Sequence, residues 1–402
     1  MTLRRAAAAA IVLALPLAAT AAALSAPLPA RLQHALVVPT VSAADSAAFA
    51  VDLTTGQAVF SRNASLPLLP ASNEKLAVTY GALTALGPSF RIETDVLGDG
   101  RQEGTAWDGD LVLKGYGDPT LTSQSLAALA QQVSADGITQ VTGHVVGDAS
   151  WFDAQQTAPG WKPSFYIGES PPLSALIVNR GLVGSYTSHN PALSATQLFR
   201  KALVAAGVHV AGVAELGTAD TAAVPLASVD SPTLASIVRW MDRNSDNFTA
   251  EMLLKQLGAV QAGAGTTAAG AGVVTGLLAQ AGIPMTGVRL VDGSGLSLLD
   301  RVTASELVSL LTAMWNDPGV RPELLASLPV AGRNGTLVDR MRGIVAAGVV
   351  LAKTGTTDNA SALSGFVGDR YAFSVLENGW PVAYSWARVA QDRFATVLAR
   401  SH

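Results

Sequence analysis

Apolar and polar positions follow several different rhythms along this chain, and each rhythm predicts a different element. Ser46–Val51 and Gln57–Ser61 are short apolar-rich runs around Thr54-Thr55-Gly56, the pattern of a β-hairpin. A polar stretch leads to Pro70-Ala71-Ser72, where a helical period begins. Leu76, Tyr80, Leu83 and Leu86 follow at steps of 4, 3 and 3 residues, and Gly87-Pro88 ends the helix.

From Arg91 to Pro225 the rhythm changes to short β-like runs such as Asp110–Leu113 and Thr142–Val146. Gly117-Asp118-Pro119, Pro159-Gly160 and Pro171-Pro172 punctuate them, and Ala192–Ala206 is the one helix predicted there. Helical texture returns at Ser231: Leu234, Ile237, Val238 and Met241 share a face, and Asn244–Asn247 interrupts it. Phe248–Leu257 resumes as far as Gly258, and Thr266–Ala281 and Thr303–Met314 are further helices. Val349–Ala352, Leu363–Val367 and Tyr371–Leu376 read as strands before a final amphipathic stretch, Pro381–Leu398. The order predicts a discontinuous α/β domain, residues 27–90 and 226–402, holding a β-rich insert over 91–225.

The N-terminus follows another pattern. Arg4 and Arg5 precede an apolar run from Ala6 through Leu24, with small-x-small sites at Ala19-Thr20-Ala21 and Ala21-Ala22-Ala23. A charged start, an apolar centre and small residues at the end predict a cleaved export signal over residues 1–26. A retained anchor is the alternative, because the run is long enough to span a bilayer. Either way the protein is expected outside the cytoplasmic membrane, in the periplasm or its equivalent.

Composition narrows the chemistry. With 26 basic and 30 acidic residues in 402, the surface lacks the basic field that nucleic-acid binding requires. The absence of cysteine excludes disulfides, thiolate metal sites and cysteine nucleophiles. The sequence contains no phosphate-binding G-x-x-x-x-G-K, no H-E-x-x-H and no G-x-S-x-G. His34, His144, His189, His209 and His402 show no ligand spacing, so neither a metal nor a cofactor is expected.

One constellation remains. Ser72 and Lys75 lie three residues apart at a helix start, which puts both side chains on one face. The first turn also offers backbone N–H groups and the positive end of the helix dipole to a developing oxyanion. A serine hydroxyl needs a base, and a lysine serves only as the neutral amine, which burial and a neighbouring cation both favour. Lys353, on a strand, could supply that cation. Ser245 and Asn247, in the break between two helices, could relay protons and hold a substrate amide. Ser72 alone would read as a helix cap, Ser245-Asp246-Asn247 as a turn, and Lys353-Thr354-Gly355 as a strand end. All three in this order, each in its expected context, form the signature of class A β-lactamases and penicillin-binding proteins.

The chain also resembles the D-alanyl-D-alanine carboxypeptidase/endopeptidase family, the class C low-molecular-mass penicillin-binding proteins. The resemblance rests on Pro70-Ala71-Ser72-Asn73-Glu74-Lys75, Gly117-Asp118-Pro119-Thr120-Leu121, Gly147-Asp148-Ala149-Ser150 and Asn190-Pro191-Ala192 with Gln197-Leu198-Phe199-Arg200. It extends through Ser245-Asp246-Asn247 with Ala250-Glu251-Met252, Asp292-Gly293-Ser294-Gly295-Leu296-Ser297 and Lys353-Thr354-Gly355-Thr356. It implies a penicillin-binding (β-lactamase/transpeptidase-like) domain, an antiparallel sheet flanked by helices. It also implies a serine-type D-alanyl-D-alanine carboxypeptidase acting on peptidoglycan stem peptides, with D,D-endopeptidase activity on cross-links left open.

By that resemblance Ser72 is the nucleophile and Lys75 its base, while Ser245 and Asn247 shuttle the proton and hold the acyl side. Lys353 and Thr354 bind the terminal carboxylate beside Gly355 and Thr356, and the N–H groups of Ser72 and Thr356 form an oxyanion hole. β-Lactams are then covalent inhibitors at Ser72. Asp148, with Trp151, is the candidate for the stem-peptide side chain, a structural turn being the alternative for Asp148. Two other functions stay open: a β-lactamase or esterase on the same scaffold, and a non-catalytic peptidoglycan-binding protein. Small β-lactamases keep the motifs closer together and need a deacylating glutamate that has no identifiable counterpart here. The interval from Ser72 to Ser245 is short for many full-length relatives, which points to an insert lacking one subdomain.

Overall fold

Two stretches from opposite ends of the chain complete one sheet in the computed structural model, which describes residues 26–402. The export signal falls outside those residues but for Ala26. The strands lie in the order Val350–Thr356, Ala360–Val367, Tyr371–Asn378, Ser46–Asp52 and Ala58–Arg62, all antiparallel. Ser46 stands opposite Glu377 and Asp52 opposite Tyr371, so the predicted N-terminal hairpin docks on the C-terminal meander.

Both faces of this sheet are covered, which is why its strands read as continuous apolar runs rather than alternations. All of Ala360–Val367 is buried. Ala362 and Phe366 face a helical layer carrying Leu76, Leu83, Leu253, Leu257, Leu307 and Leu311. Leu363 and Val367 join Leu32, Phe394 and Leu398 on the other side. There Phe394 meets Phe60 edge-on, with ring centroids 5.4 Å apart.

A second, mixed sheet is built within residues 93–230. The long hairpin Glu93–Glu103 and Ala106–Gly115 is its spine, and Val145–Asp148 pairs parallel to both Ala106–Gly115 and Ala214–Leu216. It has its own core, including Val96, Leu111, Leu129 and Phe199. A separate apolar cluster joins Phe152, Leu173 and Ile177 of this region to Phe248 and Met252 of the helix Asn247–Ala262.

Three expectations are corrected. A second helix, Ser123–Ala135, lies in the β-rich region, capped by Thr122 and burying Leu126, Leu129, Ala130 and Val133. Those positions have helical spacing, but the surrounding Gly and Pro turns obscured it. The helix from Asn247 does not stop at Gly258 but runs to Ala262. Gly258 is a packing residue: a Cβ there would lie 2.8 Å from the Gly270 nitrogen of the next helix, Thr267–Gln280. The strand expected to end at Ala352 continues through Lys353-Thr354-Gly355-Thr356, carrying all four onto the sheet edge.

Phe394 is fully buried between Phe60 and Phe373, on the opposite face of the sheet from the helical layer that carries Leu76. Phe394→Ala is expected to lower stability by about 3–5 kcal/mol in denaturant unfolding.

Candidate active site

The turn that presents Ser72 is built against its own backbone preference. Ala71 has φ +44°, a left-handed conformation uncommon for a residue with a Cβ, and opens a short 3₁₀ turn over Ala71–Glu74. The helix Lys75–Ala85 continues from it, so Ser72 and Lys75 stay on one face. Two glycines let other segments close on this turn. At Gly355 a Cβ would lie 2.8 Å from the Pro70 carbonyl oxygen, so only a bare backbone lets the strand edge approach. Gly295, at φ +79°, lies directly against the Ala71 carbonyl.

Lys75 is fully buried. Its Nζ donates to Ser72 Oγ at 2.9 Å, to Asn247 Oδ1 at 2.8 Å and to the Ser294 carbonyl at 2.7 Å. Burial pulls the amine down to about 8, against the carboxylates of Asp292, Glu251, Asp246 and Asp242, which favour the charged form. A neutral amine keeps two N–H bonds and one lone pair. Asn247 and Ser294 offer acceptors only, so the lone pair is directed to the Ser72 hydroxyl.

Lys353 is also fully buried, its Nζ donating to Ser245 Oγ and to the Thr354 carbonyl, both at 2.8 Å. Burial lowers its affinity for a proton well below the ordinary value, the Lys75 charge lowers it further, and Asp242 opposes both. Asn73 ties the two groups together by donating from Nδ2 to the Lys353 carbonyl at 3.1 Å. Ser245 is the left-handed C-cap (φ +56°) of the helix Leu234–Asn244, which turns its hydroxyl toward Lys353. Asp246 caps the next helix by accepting from the Thr249 N–H at 2.8 Å. Asn247 Nδ2 donates to the Glu169 carbonyl at 3.1 Å.

Thr354 donates to Thr336 Oγ1 at 2.7 Å, and Thr356 is exposed at the strand end. A cavity of about 420 Å³ opens beside Thr356, with Phe165, Glu169, Leu296, Asp358 and Tyr384 among its walls.

The structure thus brings Ser72, Lys75 and Asn247 into one hydrogen-bonded set, and Ser245 and Lys353 into another alongside it. It does not bring Asp148 to them. That carboxylate is fully buried in the inserted sheet, where it accepts from the N–H groups of Ser150 (2.8 Å) and Ala219 (3.0 Å) and lies 3.3 Å from Lys114. Its oxygens are occupied, so the structural-turn alternative replaces the subsite expectation. Trp151 packs edge-on against Tyr116, and its indole N–H goes to Gln256. Among the described residues no cluster of three or more His, Cys, Asp or Glu is arranged to hold a metal.

The segment Asp292–Ser297 carries no role that its sequence alone predicts. Asp292 accepts from the N–H groups of Gly295 (2.7 Å) and Ser297 (2.8 Å), and Glu251 from those of Gly293 (3.0 Å) and Ser294 (2.8 Å). This mesh aims the Ser294 carbonyl at Lys75. Two close glycines between acids were the available signal.

Known structures share this arrangement of sheets and helices. Penicillin binding protein 4 of Haemophilus influenzae superposes with a TM-score of 0.80 at 21% identity, over 92% of this chain and 98% of that one. The same protein has been solved with a β-lactam bound. A predatory peptidoglycan endopeptidase of Bdellovibrio bacteriovorus matches with a TM-score of 0.55 at 18% identity, over 83% and 86%. The fold is therefore that of the penicillin-binding proteins. At the sequence level, a D-alanyl-D-alanine carboxypeptidase of Actinomadura sp. (strain R39) is 34% identical over 85% of this chain and 79% of its own. A carboxypeptidase of Mycobacterium tuberculosis is 33% identical over 86% and 78%. The chain belongs to the D-Ala-D-Ala carboxypeptidase 3 (S13) family, whose model matches residues 28–190 and 184–401.

Gly295→Ala would place a methyl group against the Ala71 carbonyl on a left-handed backbone. The variant is expected to lose at least about 1 kcal/mol of stability and most of its reactivity with a fluorescent penicillin. Thermal melting and gel fluorescence check the two effects.

Proposed function

We propose that this protein is a serine-type D-alanyl-D-alanine carboxypeptidase that cleaves peptidoglycan stem peptides through an acyl-enzyme at Ser72. The observation that carries the reading is the trio of acceptors around Lys75. It leaves one direction for an amine lone pair, and that direction is the serine hydroxyl.

In the proposed reaction Ser72 Oγ passes its proton to Lys75 Nζ and attacks the carbonyl between two D-alanines. The oxyanion sits by the N–H groups of Ser72 and Thr356, a contribution of about 3 kcal/mol per donor in comparable sites. As the tetrahedral intermediate collapses the C–N bond breaks, and the leaving amine takes a proton by way of Ser245. Water then hydrolyses the ester and restores Ser72. In its charged form Lys353 has one N–H beyond those given to Ser245 and Thr354, and that N–H holds the terminal carboxylate, since the Thr354 hydroxyl already donates to Thr336. Asn247 holds the acyl-side amide. D,D-Endopeptidase activity on cross-links uses the same steps with a larger leaving group. β-Lactams acylate Ser72 as stable substrate mimics.

Arg4, Arg5 and the apolar run Ala6–Leu24 support export, the reading under which the protein meets its polymeric substrate outside the cytoplasmic membrane. A β-lactamase on this scaffold would turn the same acyl-enzyme over rapidly.

Incubation with defined muropeptides, read by mass, is expected to show loss of one D-alanine. Ser72→Ala is expected to abolish both that product and penicillin labelling. The label on the parent protein persists for hours, whereas rapid turnover of penicillin would establish the β-lactamase reading.

The rate of acylation is expected to rise with pH through a midpoint of about 8, as Lys75 loses its proton. A stopped-flow profile that falls over that range would remove Lys75 as the base.

A further inference from the structure

We propose that Arg180, supplied by the inserted region, is a positioning residue of this reaction. Through its ion pair with Asp246 it holds the Ser245-Asp246-Asn247 turn against Lys75 and balances that carboxylate's charge. The assignment rests on the reading of Ser72 and Lys75 as nucleophile and base.

The backbone at Arg180 shows how firmly it is placed. Asn179, Arg180 and Gly181 are successively left-handed, with φ of +51°, +57° and +76°. Two of them carry side chains, which rarely adopt that region. Asn179 is pinned on three sides. Its N–H donates to the Leu121 carbonyl at 2.8 Å, its Nδ2 to Ser123 Oγ at 2.7 Å, and its Oδ1 accepts from the Ser123 N–H at 3.0 Å. A rigid, unfavourable turn is thereby held in place and projects one guanidinium.

That guanidinium has two partners. Arg180 Nη2 lies 2.8 Å from Asp246 Oδ2, and its central carbon stands 4.9 Å from the centre of the Phe248 ring. Asp246 uses its other oxygen to cap the helix whose first residue, Asn247, binds Lys75. Arg180, Asp246, Asn247 and Lys75 thus form one chain of contacts from the inserted region to the base.

The electrostatics follow the same path. Lys75 feels the carboxyl groups of Asp292, Glu251, Asp246 and Asp242, and its own charge lowers the proton affinity of the neighbouring Glu74 and of Lys353. Burial raises the proton affinity of Asp246, and Arg180, by charge and by hydrogen bond, leads the groups that lower it, with Thr249 adding to the effect. With Arg180 present, the pair acts on Lys75 as a dipole. Without it, the Asp246 charge favours the Lys75 ammonium, which is inactive as a base.

The experiment is penicillin acylation followed against pH in the full-length protein. Arg180→Ala is expected to slow acylation about tenfold at neutral pH and to raise the midpoint by roughly half a unit. Arg180→Lys should return most of the midpoint. Adding Asp246→Asn to Arg180→Ala should bring it back down, because the unbalanced charge is then gone while Asn still caps the helix. An unchanged rate and midpoint in a folded Arg180→Ala protein overturns the proposal. So does a slower rate with an unmoved midpoint, which would make Arg180 a structural prop alone. If Arg180→Ala does not fold, Arg180→Gln is judged by the same two readings. Wild-type protein that penicillin does not acylate overturns the reading of Ser72 and this assignment with it.

Discussion

In the proposed reaction one requirement governs the catalytic half of this protein: a lysine amine must be buried beside a serine and still lose its proton. Burial alone disfavours the ammonium, but a buried amine without acceptors would be costly in either form. Lys75 therefore has three acceptors within 2.9 Å, and two of them come from residues 172 and 219 positions further along the chain. Each is delivered by a local device: a left-handed Ala71 for Ser72, a capped turn for Asn247, and a glycine loop held by two carboxyl groups for Ser294.

The acids behind the site fit the same requirement. Burial raises Glu251 and Glu306 to about 8 and Asp300 to about 12, and it raises Glu74 well above the usual carboxyl range, with Asp292, Glu306 and Glu251 adding to the effect. Were all of them ionised, their summed field would hold Lys75 as an ammonium and disable it. Below about pH 8 Glu251 is a neutral acid that still accepts the N–H groups of Gly293 and Ser294, and Asp300 accepts those of Val291 and Asp292. A buried carboxylic acid is thus a rigid hydrogen-bond bracket with little charge, which the base needs from its surroundings.

Much of this was legible in the residues. The hairpin, the helix from Ser72, the interrupted helices around Ser245 and the closing strands all carry their periodicity openly, because each has a single buried stripe or a fully buried run. The three motifs were legible because the chemistry restricts their side chains. Other features were hidden for physical reasons. The helix Ser123–Ala135 sits among glycines and prolines that serve the neighbouring turns, and Gly258 resembles a stop although it serves helix packing. Ser294 acts through its carbonyl, which every residue possesses, so no side-chain pattern could single it out. Asp148 showed the reverse error: an acid in a motif-like segment, whose oxygens are occupied by backbone N–H groups of its own sheet.

The edge of the main sheet shows how the fold reserves room for a peptide. An exposed strand edge invites unwanted pairing, and proteins usually cover it. Here the segment around Val330 does so for the first half of Val350–Thr356: Ala331 donates to the Val350 carbonyl at 2.9 Å and Ala352 to that of Pro329 at 3.0 Å. Among the described residues that backbone cover stops at Ala352, one position before Lys353. From there to Thr356 the outer edge faces the Ser72 turn, brought close by the missing side chain of Gly355. The chain thus covers its edge strand up to the point where the site begins and leaves the rest to the cleft. In the proposed reaction an extended peptide hydrogen-bonds there as an added strand, with its carboxylate at Lys353 and its other end toward the cavity beside Thr356.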